Sequence, residues 1–198
     1  HVTVINALTI ILLQLFVSAI VKKTKALPTM ITGITFATIG MAILSLSSNI
    51  WIFIMGIFIF SIGEMTAHPK FISYLGTIAP PDKKATYMGF GFLYGVFGSF
   101  FGGIIGAFLY VKFIDNPMID FVKVKLAAIG SSIQLPSNVK VDQALKVAES
   151  IGMSKAEVAT HAYPSELWLL FSGIGVTCII GLLLYQKFIG ARAASDFS

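Results

Sequence analysis

Five long apolar runs decide what this chain can fold into. They extend from about Val4 to Val21, Pro28 to Leu46, Ile50 to about Ala67 or beyond, Thr86 to Val111, and Glu166 to Gln186. A helix needs roughly 17–25 apolar residues to cross a bilayer, and each run meets that length. Each is also apolar on every face, whereas a helix on a soluble globule shows one apolar stripe. The chain as a whole is 56% hydrophobic and 12% charged, with a mean hydropathy of +0.87. Soluble domains carry about 25% charged residues. A small globule cannot hide this apolar excess, because much of its surface stays exposed. A soluble enzyme domain, a nucleic-acid-binding domain and a disordered tail are all excluded by that balance. The expected fold is an all-α membrane protein, a bundle of five transmembrane helices with the lipid bilayer as its first partner.

The charges lie mostly between the runs. The first connection, VKKTKALP, carries Lys22, Lys23 and Lys25, and the second, SLSSN, carries none. The third carries Lys70, Asp82, Lys83 and Lys84, and the tail carries Lys187, Arg192 and Asp196. Positive residues in short loops mark the cytoplasmic side. The basic first and third loops and the C-terminus are therefore expected inside, and the N-terminus outside. This charge pattern also explains the net charge of +5 without nucleic acid. Trp51 and Trp168 then fall near the outer ends of runs three and five, where interfacial tryptophans anchor helices. The plasma membrane, the inner membrane in a bacterium, is the expected location. His1 is followed at once by an apolar run, with no basic leader and no small-residue cleavage site, so the start does not read as a signal peptide. It reads as the middle of a longer protein.

The chain thus divides into residues 1–111 (four spans), 112–165, 166–190 (the last span) and 191–198 (a cytoplasmic tail). The 112–165 connection holds six lysines and five acids, and a long loop crosses the membrane whatever its charge. Helical composition over Val141 to Ser150, the capping-box pattern SKAE at Ser154 to Glu157, and an amphipathic stretch from Ile114 to Ile129 predict a small extracytoplasmic cap with short helices.

Run four is rich in glycine. Gly91 and Gly95 are four apart, as are Gly98, Gly102 and Gly106. Small residues at that spacing let another helix approach closely, either for static packing or for sliding during a transport cycle.

Glu64, in SIGEMTAHPK, is the residue most able to carry chemistry. If run three continues through Pro69 towards Gly76, this carboxyl lies near mid-membrane. Insertion of an acid there costs about 2.5–3.5 kcal/mol, so it should face a cavity or a partner. If the run ends near Ala67, Glu64 merely snorkels to the surface. His68 follows by four residues, on the same helical face, and a Glu–His pair can relay protons. Pro69 removes the amide that would bond the Met65 carbonyl, so a kink is expected there. Asn6 and Gln14 are polar positions in run one that can line a substrate path or bond another helix. Cys178, the one cysteine, rules out an internal disulfide and reads as a packing residue. No Walker A, HExxH, GxSxG or cysteine–histidine metal spacing occurs. Neither enzyme activity, nor a metal, nor a cofactor is expected.

Two segments carry a family resemblance. FVSAIVKKTKALPTMITG resembles the basic loop between helices 8 and 9 of major facilitator superfamily transporters. IGEMTAHPKFISYLGTIAPPDKKATYMGFGFLYGVFGSFFGGIIG is similar to their helices 10 and 11, with Gly-Glu, a following proline, Ala-Pro, a basic pair and a glycine-rich helix. The resemblance covers about residues 4–111 and 166–190 and implies that the five spans are helices 8 to 12. Two proton-coupled branches fit. Ile5-Asn6, Gly63-Glu64 and Pro69 match proton-dependent oligopeptide transporters, although Ala7, His68, Gly91 and Ser99 replace that branch's proline, serine, tryptophan and asparagine. There the matching glutamate recognises the peptide's amino terminus. Tyr87-Met88-Gly89, with the Gly-Glu and proline pattern, is similar to drug–proton antiporters. The resemblance implies a secondary carrier of a small organic solute, coupled to protons and working by alternating access against N-terminal helices absent from this sequence. A peptide carrier of the same superfamily is the alternative. A non-transporting scaffold or sensor on the same fold is the rival from another class. A polar cavity at Glu64 favours a carrier, and a cavity filled with bulky apolar side chains favours the scaffold.

Overall fold

The computed structural model describes residues 2–46, 49–136 and 138–190. His1, the Ser47–Ser48 part of the neutral connection and the tail with Arg192 and Asp196 lie outside the described residues, as does the side chain of Asn6. The described residues form helices and turns with no strand among them: α1 (Val2–Val21), α2 (Ala26–Leu46), α3 (Ile50–Ile78), α4 (Lys84–Tyr110), α5 (Asn116–Ala128), α6 (Val141–Ser150), α7 (Lys155–Ala159) and α8 (Pro164–Tyr185). Among the described residues four helical runs are long and apolar enough to cross a membrane, and the described apolar stretch of α1, Ile10–Val21, is shorter. The chain divides into two compact units, residues 1–96 with 168–198, and residues 97–167.

The first unit is built on an antiparallel pair. Helices α2 and α3 meet through glycines seven residues apart on each, Gly33 and Gly40 facing Gly63 and Gly56. A Cβ added to Gly33 would stand 2.6 Å from the Ala67 amide nitrogen and 2.8 Å from the Gly63 carbonyl oxygen. One added to Gly40 would stand 2.6 Å from the Phe60 nitrogen and 2.7 Å from the Gly56 oxygen. Backbone therefore lies on backbone, which only residues without a side chain permit. On its other side α2 receives α8: Gly175 sits against the Thr38 side chain, and Ile179, Leu182 and Tyr185 pack on Leu27, Met30 and Ile31. The Tyr74 and Tyr185 hydroxyls are 2.7 Å apart and tie α3 to α8.

One open alternative is resolved here and three expectations need correction. Run three takes the longer of its two extents; α3 continues through Pro69 to Ile78. Lys70 is consequently not a loop residue. It is buried, and its ammonium donates to the Thr24 carbonyl at 2.7 Å. Carbonyls at the end of a helix lack amide donors, so a cation from the neighbouring helix is well placed there. The second correction concerns run four, whose helical turns do not stop at Val111: a π-helical turn, Val111–Asp115, leads directly into α5. The third is Cys178, which is exposed on α8 rather than packed.

The second unit has its own small core of Met118, Val122, Leu126, Ala148 and Val158, drawn from α5, α6 and α7. Its helix ends follow from local chemistry. Gly130 and Gly152 adopt φ of +64° and +86°. In each case the next amide reaches back to the helix, Ser131 to Leu126 at 3.1 Å and Met153 to Ala148 at 3.0 Å. This glycine-terminated stop satisfies orphan carbonyls at little steric expense. The Ser154 hydroxyl accepts from the Glu157 amide at 3.1 Å and opens α7, as the SKAE pattern predicts. Helix α6 has the expected bounds, and α5 lies within the expected amphipathic stretch.

Candidate functional site

Glu64 is the middle residue of the 29-residue α3, so about 21 Å of helix separates it from either end. Lys70, which marks the level of the α1–α2 connection through Thr24, lies about 9 Å further along the axis. A glutamate side chain does not span that distance. The snorkelling alternative supposed that α3 ends near Ala67, and it does not.

Two concavities of the first unit share Glu64 and His68. One, about 220 Å³, is lined by Ile10 and Gln14 of α1 and by Glu64, Met65, His68 and Pro69 of α3. The other, about 350 Å³, is lined by Met30 and Ile34 of α2, by Glu64, Ala67, His68 and Phe71 of α3, and by Tyr94 of α4. The spacing explains the sharing: residues four apart stack on one face of a helix. Gln14 donates to the Ser18 hydroxyl at 3.3 Å within α1, which leaves its carbonyl oxygen unengaged by that bond. Glu64, His68, Gln14 and Pro69, four of the residues singled out from sequence, are thus brought together. Asn6 lies in α1 with its side chain outside the described residues.

Tyr94 was not legible as a site residue. Its hydroxyl is 2.6 Å from His68 Nδ1, and its ring meets the edge of Phe71 at a centroid distance of 4.6 Å and an interplanar angle of 72°. Gly91, three residues earlier on α4, sits against the Leu75 side chain and lets the two helices close up beside this contact. The only sequence signal was a polar-tipped aromatic one turn after a glycine, inside a run crowded with phenylalanine. The other α4 glycines named from sequence are differently placed. Among the described residues, an added Cβ at Gly95, Gly98, Gly102 or Gly106 would meet no side chain or neighbouring helix within 4 Å.

The arrangement offers a carboxyl group, an imidazole, a phenol and a carboxamide on walls that are otherwise apolar or aromatic. Few polar groups in a mostly apolar concavity is the general form of a small-molecule site. No group of three or more metal-ligating side chains occurs among the described residues.

A family model described as Major Facilitator Superfamily matches residues 1–120. No curated protein and no solved structure matches the chain.

Proposed function

The chain belongs to the Major Facilitator Superfamily, and from that premise we propose that it is the site-bearing part of a proton-coupled carrier for a small organic solute. Glu64 is the group that binds the proton or the solute's cation, and His68 and Gln14 assist it. The single observation that supports this most is the position of Glu64 at the middle of α3, on the walls of two open concavities. An acid at that depth carries an insertion penalty of about 2.5–3.5 kcal/mol, and intramembrane acids commonly mark ion or substrate pathways. Met30, Ile34, Phe71 and Tyr94 around the carboxyl favour an amphiphilic solute with a positive charge, which aromatic faces and a carboxylate both attract. A peptide's amino terminus meets the same description, so peptide uptake is the second reading. Alternating access then comes from rocking this bundle against further helices of the same protein, which the small residues Gly95, Gly98, Gly102 and Gly106 of α4 would let approach closely.

Proteoliposomes loaded with a pH dye separate the readings. Addition of an organic-cation panel is expected to make the lumen more alkaline as solute enters and protons leave. Addition of di- and tripeptides makes it more acidic if peptide and proton enter together. No pH change with either panel, in protein shown to be folded, would leave the scaffold reading standing.

The proposed orientation places the 112–165 segment outside. Ser132 is exposed in that segment, and Cys178 is the one native thiol. A Ser132→Cys protein in a Cys178→Ser background should react with a membrane-impermeant maleimide on intact cells. Reaction only after permeabilisation would reverse the orientation.

A further inference from the structure

His68 and Tyr94 come from different helices, and the hydrogen bond between them has a chemical consequence. A neutral imidazole carries a proton on one ring nitrogen and a lone pair on the other. A phenol hydroxyl is the better donor towards an imidazole lone pair. The Tyr94 oxygen is 2.6 Å from Nδ1; a neutral ring with its proton on Nε2 lets the hydroxyl donate to Nδ1, and this is the arrangement the phenol's donor strength favours. Around the pair, α1 contributes Gln14 and α2 contributes Met30 and Ile34, none of them charged; Glu64 on α3 is the acid of the same concavities.

We propose that Tyr94 is a positioning residue of the carrier: it fixes the neutral His68 ring with its proton on Nε2, so that His68 serves the Glu64 concavity as a hydrogen-bond donor. When His68 takes up a proton, it does so at Nδ1; the Tyr94 hydroxyl then rotates and accepts from Nδ1–H, and no proton leaves the phenol. The bond persists through both states with donor and acceptor exchanged. Because Tyr94 stands on α4 and His68 on α3, any displacement of α4 along α3 that parts the two releases His68 from this constraint. The consequence for transport rests on the proton-coupled reading of Glu64. The tautomer assignment does not: it rests on the 2.6 Å contact and on the phenol being the better donor.

Two measurements on the full-length carrier test this. The chain has three histidines, His1, His68 and His161, so His1→Gln and His161→Gln leave His68 as the only one in this segment. With any histidines elsewhere in the protein substituted likewise, ¹⁵N-histidine labelling reports its tautomer. The neutral ring is expected almost wholly protonated on Nε2, and Tyr94→Phe, which keeps the aromatic packing on Phe71, is expected to give a mixture of both tautomers. In proteoliposomes Tyr94→Phe should lower proton-driven uptake about two- to tenfold, the equivalent of one net hydrogen bond. An unchanged tautomer in Tyr94→Phe overturns the proposal, and so does a changed tautomer with uptake at the unsubstituted rate. If Glu64→Gln loses coupling while Tyr94→Phe does not, the role of Tyr94 falls alone. If Glu64→Gln remains fully coupled, the proton reading of Glu64 fails, and the transport half of the proposal falls with it.

Discussion

Leucine at Gly63 should destabilise the protein by about 3 kcal/mol or more, the upper end of what overpacking a close contact costs. The reason is geometric. A Cβ at this position meets the Ala37 backbone nitrogen and the Gly33 carbonyl oxygen on the facing helix. Neither is the end of a flexible side chain, so neither can turn aside. Accommodation requires α2 and α3 to part along their length, which also opens the contact of Gly40 with Gly56 and Phe60. Gly102→Leu is the matched control. A Cβ there meets no side chain or neighbouring helix within 4 Å, and leucine favours a helix over glycine by up to about 1 kcal/mol. Thermal unfolding in detergent should show Gly63→Leu melting well below the unsubstituted protein, with Gly102→Leu at or above it. Equal melting of the two variants would mean that α2 and α3 are not in backbone contact.

This contrast shows a helix contact that sequence reasoning did not single out. Run four holds seven of them, and their four-residue spacing dominates the eye. Gly33, Gly40, Gly56 and Gly63 are fewer and seven apart, yet they make the closest helix contact of the first unit. Spacing says which residues share a helix face; it does not say whether another helix lies against that face. The extent of α3 was left open between Ala67 and Gly76 for a related reason. Pro69 and Lys70 are residues of loops and helix ends in water, whereas here the helix runs through both and the lysine binds carbonyls of the neighbouring α1–α2 connection. Tyr94 was hidden because its significance depends on a partner twenty-six residues away.

Other parts were plain. The apolar runs gave the helices because bilayer length and all-round apolarity leave few alternatives. Glu64 stood out because a lone acid in such a run is expensive wherever it points. The bounds of α6 and the start of α7 were readable from the helical composition of 141–150 and from Ser154, since caps are local chemistry that tertiary packing does not override. What the second unit does is not written in those caps, because they specify where helices stop and not what their outer faces meet.

The second large effect is expected at Glu64. Glutamine keeps the size of the side chain and its hydrogen-bonding capacity but can neither carry a negative charge nor exchange a proton. A carrier whose coupling passes through this carboxyl loses the link between gradient and solute when it is replaced. Downhill exchange of solute for solute needs no net proton movement, so it survives where Glu64 only carries protons. Where Glu64 also holds the solute's ammonium, affinity falls and exchange fails with uptake. The loss of a charged hydrogen-bond partner is worth about 1.5–3 kcal/mol, a ten- to hundredfold weakening of binding.

Glu64→Gln in proteoliposomes, assayed with an imposed pH gradient and then by solute exchange at equal pH on both sides, therefore tests the account most directly. Gradient-driven accumulation should disappear in the variant while the folded protein remains in the membrane, and the exchange assay then shows whether the carboxyl touches only the proton or the solute as well. Accumulation at the unsubstituted level, with exchange also intact, would contradict the placing of Glu64 at the centre of this carrier.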